Sequence, residues 1–198
     1  MPSKPVILAL DTSAAHCAAA LLRGDDILLE RIEPMSRGQA ERLMPLLEEI
    51  LSEAEINWSD LTAIGVGVGP GNFTGIRIAV SAARGLALGL DIPAVGVDGF
   101  DARAQVGQLP AIPAPRDQVY AQPRGEAPRL MSAQEASDIA RGAGLTFAPA
   151  ASPAGLAGQI ARHTANRYKT TTTPPAPLYL RAADAAPSRD TPPPLLDE

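Results

Sequence analysis

The chain has 198 residues, 45% of them hydrophobic, and a formal net charge of -5; that is enough apolar material for one large domain or two small lobes with real cores. Its single cysteine, Cys17, and its two histidines exclude an internal disulfide and a cysteine-based zinc cluster, and point to a reducing, cytoplasmic setting. Basic and acidic residues number 7 and 13 up to residue 100 and 10 and 9 beyond it, so neither half carries the surplus of Lys and Arg that a chain gripping a nucleic acid by itself would need. Val6 to Leu10 is too short for a signal-peptide core, and no apolar stretch reads as a membrane span.

In chain order, Val6 to Asp11 and Cys17 to Leu22 read as a β-hairpin, and Ile27 to Ile32 as a third antiparallel strand after the turn residues Gly24, Asp25 and Asp26. Ser36 and Gln39 have the spacing of a capping box, and Leu43, Leu47, Ile50 and Ala54 follow at helical intervals, with Pro45 expected to kink this helix or mark its first turn. Thr62 to Val68 reads as a buried strand, Gly69 to Gly71 as a turn, Thr74 to Leu88 as a second helix and Ala94 to Val97 as a further strand, together a right-handed βαβ unit. Beyond residue 100 the texture changes, with 14 of the 20 prolines. There Val119 and Tyr120 suggest a strand, Ser132 to Arg141 a short helix capped by Ser132 and Glu135, Ala154 to Tyr168 a last helix, and Thr170 to Pro177 a loop.

The glycine turn is the most specific local feature. Gly69 and Gly71 can take positive φ, Pro70 fixes the turn, and Thr74 is placed to cap the helix, whose first amides would face an anion; a tight connection and nothing more is the other reading. Gly75 is followed by Ile76 and Arg77, so the Lys of a phosphate-binding P-loop is missing, and G-x-G-x-x-x-G is not dinucleotide spacing. Asp11, Thr12 and Ser13 end the first strand, where a carboxylate and two hydroxyls could approach a phosphate or a bound metal, although an Asp in that place is more often a turn former. His16 and His163 form no metal pair, and His16 and Cys17, on opposite faces of a strand, read as structural. In the second helix Ser81, Gly85 and Gly89 recur every four residues, while Ile78, Ala82 and Leu86 flank them, more non-polar surface than one buried face requires.

VILALDTSAAHCAAAL from Val6, QAERLMPLLEEIL from Gln39, GVGPGNFTGIRIAVSAARGLALGLDIPAVGV from Gly67 and PLYLRAADAAPS from Pro177 together resemble the TsaB (YeaZ) family. The resemblance implies an α/β, two-lobed fold of the actin-like ATPase and sugar-kinase (ribonuclease H-like) superfamily, with mixed sheets and a compact second lobe. On it the chain divides into an N-terminal lobe, residues 1–100, a smaller lobe, 101–186, and a tail, 187–198. It implies a subunit with no catalytic or metal residues of its own, which binds and activates a TsaD-like catalytic subunit and works with a TsaE-like ATPase. That complex transfers threonylcarbamoyl from threonylcarbamoyl-AMP to the adenosine beside the anticodon of tRNAs that read ANN codons.

No cofactor is then bound by the chain alone: ATP is used by the partner ATPase, a nucleotide at the shared interface stays open, tRNA is met through the complex, and no membrane is involved. A homodimer is the alternative for the chain by itself. The catalytic relative's His-x-x-x-His has no counterpart in SRGQAERL from Ser36. Family members use the two helices to build a bundle with the partner, which carries the interface to Leu43, Leu47, Ile78, Ala82 and Leu86, with Ser81 and Gly85 on the small-residue stripe; Ala82 is expected to tolerate no large charge there. Asp11, Thr12, Gly69 and Gly71 are the nucleotide-proximal candidates of the competing reading, an autonomous nucleotide-binding enzyme of the superfamily. In PAPRDQVY, Pro113 and Pro115 stand where many relatives have Asp and Arg, so the function of that segment is not carried over.

Overall fold

The computed structural model describes residues 4–180; the expected tail at 187–198 lies outside them. The elements are β1 (Val6–Asp11), β2 (His16–Arg23), β3 (Asp26–Pro34), α1 (Gln39–Glu53), β4 (Ala63–Gly67), α2 (Phe73–Leu90), β5 (Ala94–Val97), β6 (Ala111–Ala114), β7 (Gln118–Ala121), β8 (Arg129–Ser132), α3 (Ala133–Gly142) and α4 (Leu156–Arg167). β1 to β5 form one sheet in the order β3-β2-β1-β4-β5, and β6 to β8 a second, antiparallel one. In the first sheet β1 pairs antiparallel with β2 and parallel with β4, and β4 pairs parallel with β5. This is the mixed hairpin-plus-crossover sheet of the ribonuclease H-like fold.

The first sheet is buried on both faces, and its strands read accordingly as near-continuous apolar runs. Leu8, Leu10, Cys17, Ala19, Leu21, Ile64 and Val66 point to the side covered by α1 and α2, which contribute Leu43, Leu46, Leu47, Ile50, Ile76, Ala79 and Ala83. The alternate residues Ile7, Ala9, Leu22 and Ala63 point the other way, against Leu156, Ile160 and Ala161 of α4. A fully apolar second face must be covered, and α4 covers it. α4, the last helix among the described residues, therefore belongs to the layer of the first sheet, across the boundary drawn at residue 100. The small sheet is covered by α3, whose Ala136 and Ala140 meet Ala111, Val119, Ala121 and Met131. Pro113 lies within β6, pairing with Val119, and Pro115 follows the strand.

Local starts differ from expectation in two places. The Ser36–Gln39 box is not made: Gly38, at φ 90°, is the residue before α1, and the Gln39 side chain donates to the Met35 carbonyl at 3.2 Å. Pro45 is exposed in the second turn, and the helix runs through it to Glu53. α2 is capped by Asn72, whose Oδ1 accepts from the Gly75 amide at 2.8 Å, and not by Thr74, which lies inside the helix. Asn72→Ala is expected to cost about 1 kcal/mol, read as a lower urea midpoint. α3 does begin as expected, with Ser132 Oγ accepting from the Glu135 amide at 3.0 Å, though the Glu135 carboxylate turns to Arg129.

The sequence reading of no membrane-length apolar stretch needs correcting. At 18 residues, Phe73–Leu90 is long and apolar enough to cross a bilayer by length and composition. In the fold its inner face lies on the sheet, burying Gly75, Ile76, Ala79, Val80, Ala83 and Ala87.

Candidate functional site

The parallel pairing of β1 with β4 aligns Leu10 with Val66, which brings the loop Asp11 to Ser13 against the glycine turn Gly67 to Gly75. The two motifs, separate in the sequence, are one structure. Thr12 Oγ1 donates to the Gly75 carbonyl at 2.6 Å, and the Asn72 amide donates to the Ser13 carbonyl at 2.6 Å. The glycines are there to permit the approach: a Cβ on Gly67 would strike Asp11 Oδ2, one on Gly71 the Ser13 carbonyl, and one on Gly75 the Thr12 carbonyl. Gly69 takes positive φ, at 96°, as expected; Gly71 does not, and is required by its close approach to Ser13 instead.

Asp11, Thr12, Ser13 and His16 are all buried. Asp11 Oδ1 accepts from the Ser13 amide at 2.9 Å, from Ser13 Oγ at 2.8 Å and from His16 Nε2 at 2.7 Å. Burial alone would raise the Asp11 carboxyl, but the His16 hydrogen bond, the Ser13 amide and the Arg103 charge together hold it below the ordinary carboxylate value. Since its folded value lies below the unfolded one, the ionised carboxylate stabilises the fold above about pH 4. That contribution is lost as pH falls from there toward the folded value. Asp11→Asn is expected to lower the urea midpoint at neutral pH and to shrink the loss of stability that the parent chain shows between about pH 5 and pH 2. Cys17, on the opposite face of β2, has its thiol pushed up by burial to about 11, so neither it nor the fully engaged Ser13 is a nucleophile.

A phosphate reaching Asp11 and Thr12 would have to displace every one of these bonds. The structure thus brings the four nucleotide-proximal candidates, Asp11, Thr12, Gly69 and Gly71, together, and fills the space between them with their own atoms. The returning segment at Leu178 seals the turn, its amide donating to the Val68 carbonyl at 2.8 Å.

The helix launched by the turn offers the second candidate surface. Ser81, Arg84, Gly85, Leu88 and Gly89 are exposed along its outer side. Leu88 is 85% exposed, and a side chain on Gly85 or Gly89 would meet nothing within 4 Å. The small-residue stripe therefore faces away from the protein's own sheet. Ile78, Ala82 and Leu86 are half-buried flanks that pack on the core. Leu43 and Leu47 are not surface residues: at 1% and 0% exposure they lie in the core beneath α1, which corrects their place among the interface candidates. An amphipathic helix shows the same period whether its apolar face meets its own sheet or a partner. Leu88 escapes the sequence reading because it falls outside the four-residue stripe. Beside it, α2 and the segment Thr171 to Pro175 enclose a groove of about 630 Å³. Among the described residues, no three His, Cys, Asp or Glu side chains gather as a metal would require.

Residues 33–178 match the family model of TsaD, tRNA N6-adenosine threonylcarbamoyltransferase. The tRNA threonylcarbamoyladenosine biosynthesis protein TsaB of Escherichia coli is 37% identical over 50% of this chain and 42% of its own length. YeaZ from Pseudomonas aeruginosa superposes with a TM-score of 0.53 at 36% identity, covering 65% of each chain. The chain belongs to the TsaB (YeaZ) family. It spans less than half the length of the Escherichia coli TsaB that it matches. An uncharacterised protein of Mycobacterium tuberculosis is 32% identical over 91% of this chain and 94% of its own length.

Proposed function

We propose that this chain is the accessory subunit of a tRNA threonylcarbamoyltransferase complex. It docks the outer face of α2 on a TsaD-like catalytic subunit and stabilises that subunit's active arrangement, contributing no residue to the transfer itself. The observation that carries this reading is the outer face of α2: small residues in an exposed row, with Leu88 standing out of it at 85% exposure. Small residues let a second helix come close, and a protruding leucine beside them supplies an anchor for it. The family relationship supplies the reaction, and the buried Asp11–Ser13 loop speaks against a separate nucleotide chemistry at the turn. Partner docking then acts on rate through a coupling free energy between interface and active site.

The reading implies that the TsaD-like subunit of the same organism, mixed with this chain, elutes with it as a stoichiometric complex in size-exclusion chromatography. Separate elution at concentrations in the tens of micromolar, roughly ten times the Kd of an ordinary transient interface, counts against it. The TsaE-like ATPase and the tRNA are then met through that complex, and ATP is consumed by the ATPase.

A further inference from the structure

The pairing of His16 with Ser152 is used neither by the turn nor by the interface. His16, on β2, bridges two residues far apart in the sequence: its Nε2 lies 2.7 Å from Asp11 Oδ1 and its Nδ1 2.5 Å from Ser152 Oγ. Carboxylate, imidazole and hydroxyl stand in the order used to activate a serine. The tautomer follows from the partners. Asp11 Oδ1 is an acceptor and already holds two donors from Ser13, so Nε2 carries the ring proton and Nδ1 presents its lone pair to the Ser152 hydroxyl, which donates.

Burial runs down the chain of groups: Asp11 is 2% and His16 0% exposed, whereas Ser152 lies at the surface. The backbone before the serine is gripped by Arg103, whose Nη2 donates to the Ala151 carbonyl at 2.7 Å and whose Nε donates to the Ala150 carbonyl at 3.1 Å. The serine is therefore held in place at the surface and backed by a base.

We propose that Ser152 is a nucleophilic serine which, with His16 as its base and Asp11 orienting His16, takes an acyl group from activated esters. Ser152 Oγ bonds to the carbonyl carbon while its proton passes to His16 Nδ1. The bond to the leaving oxygen breaks, and that oxygen departs with the electron pair as an anion. The proton stays on His16 in the acyl-enzyme, as an imidazolium paired with the Asp11 carboxylate. His16 is fully buried behind the serine and cannot reach a leaving group to protonate it. The donors are thus restricted to those that leave as stable anions, such as aryl esters and acyl phosphates, and exclude amides. The inference is independent of the proposed role in tRNA modification.

The intact chain incubated with p-nitrophenyl acetate tests it. The expected result is a burst of p-nitrophenolate close to one equivalent per chain, with the acetyl group on the peptide that contains Ser152. Acetylation there should run roughly 100-fold faster than at Ser59, an exposed serine of the same chain that serves as the unassisted control. Ser152→Ala, shown by a thermal melt to be folded, should abolish the burst. Equal labelling of Ser152 and Ser59, or a burst unchanged in Ser152→Ala, would overturn the proposal.

Discussion

Gly85→Gln is expected to make the free chain slightly more stable and to weaken its association with the TsaD-like subunit by roughly thirtyfold or more. In the free chain Gly85 is exposed in mid-helix, and a Cβ there has nothing within 4 Å. Glutamine is the better helix former by about 0.5 kcal/mol, which corresponds to a rise of about 1–2 °C in Tm for a domain of this size. In the complex the same side chain would hold a partner helix off the small-residue row. Disrupting the centre of such an interface costs about 2 kcal/mol or more, or roughly thirtyfold in Kd. Ala82 is a poorer probe, because it is half-buried against the core and a large charge there would disturb the fold as well. Isothermal titration with the catalytic subunit, paired with a thermal melt of the free chain, separates the two effects. Unchanged affinity would remove this face of α2 from the interface.

Gly75→Ala acts in the opposite sense, on the fold and not on the surface. Its added methyl would meet the Thr12 carbonyl, a backbone atom that cannot swing aside. The neighbouring Thr12 Oγ1 to Gly75 carbonyl hydrogen bond, 2.6 Å long and buried, would be pulled open by any relief of that clash. Overpacking of this kind costs about 3 kcal/mol, with a buried polar group left unpaired in addition. Against a total stability of about 5–15 kcal/mol, the expected outcome is a marked drop in the urea midpoint, visible even where the variant still folds. A midpoint within experimental error of the parent chain would mean that loop and turn do not touch.

The two variants also mark where the sequence is legible. The strands of the first sheet and both long helices follow from apolar runs, helical spacing and turn residues, because each is a local property of the chain. What covers each apolar face is not local. Leu43 and Leu47 share the period of an interface helix and lie instead on the chain's own sheet, while the recurrence of Ser81, Gly85 and Gly89 does mark an outward face, since small residues add little to a core. As sequence, the glycine turn reads as a cradle for an anion or as a bare connection. It is in fact glycine-rich because the Asp11–Ser13 loop presses on it, an approach created by the pairing of β1 with β4. Likewise, nothing near His16 in the sequence points to Ser152, which is 136 residues away and arrives only through the placement of α4 on the far face of the sheet.

The same geometry frames the functional reading. A turn whose polar groups satisfy one another is rigid, and a rigid turn fixes the direction in which α2 leaves the sheet. Asn72 at its start and the seal by Leu178 serve the same end. Rigid presentation lowers the entropic cost of docking, and a platform that arrives preformed can hold its partner in one conformation.

Reconstitution of the modification tests this most directly. Purified TsaC-, TsaD- and TsaE-like proteins, ATP, threonine, bicarbonate and an ANN-decoding tRNA are combined with and without this chain, and the threonylcarbamoyladenosine formed is quantified by mass spectrometry of the digested tRNA. Modified nucleoside should form when the chain is present, fall to background when it is omitted, and drop well below the parent level when it is replaced by Gly85→Gln. Equal product with and without the chain would contradict the account.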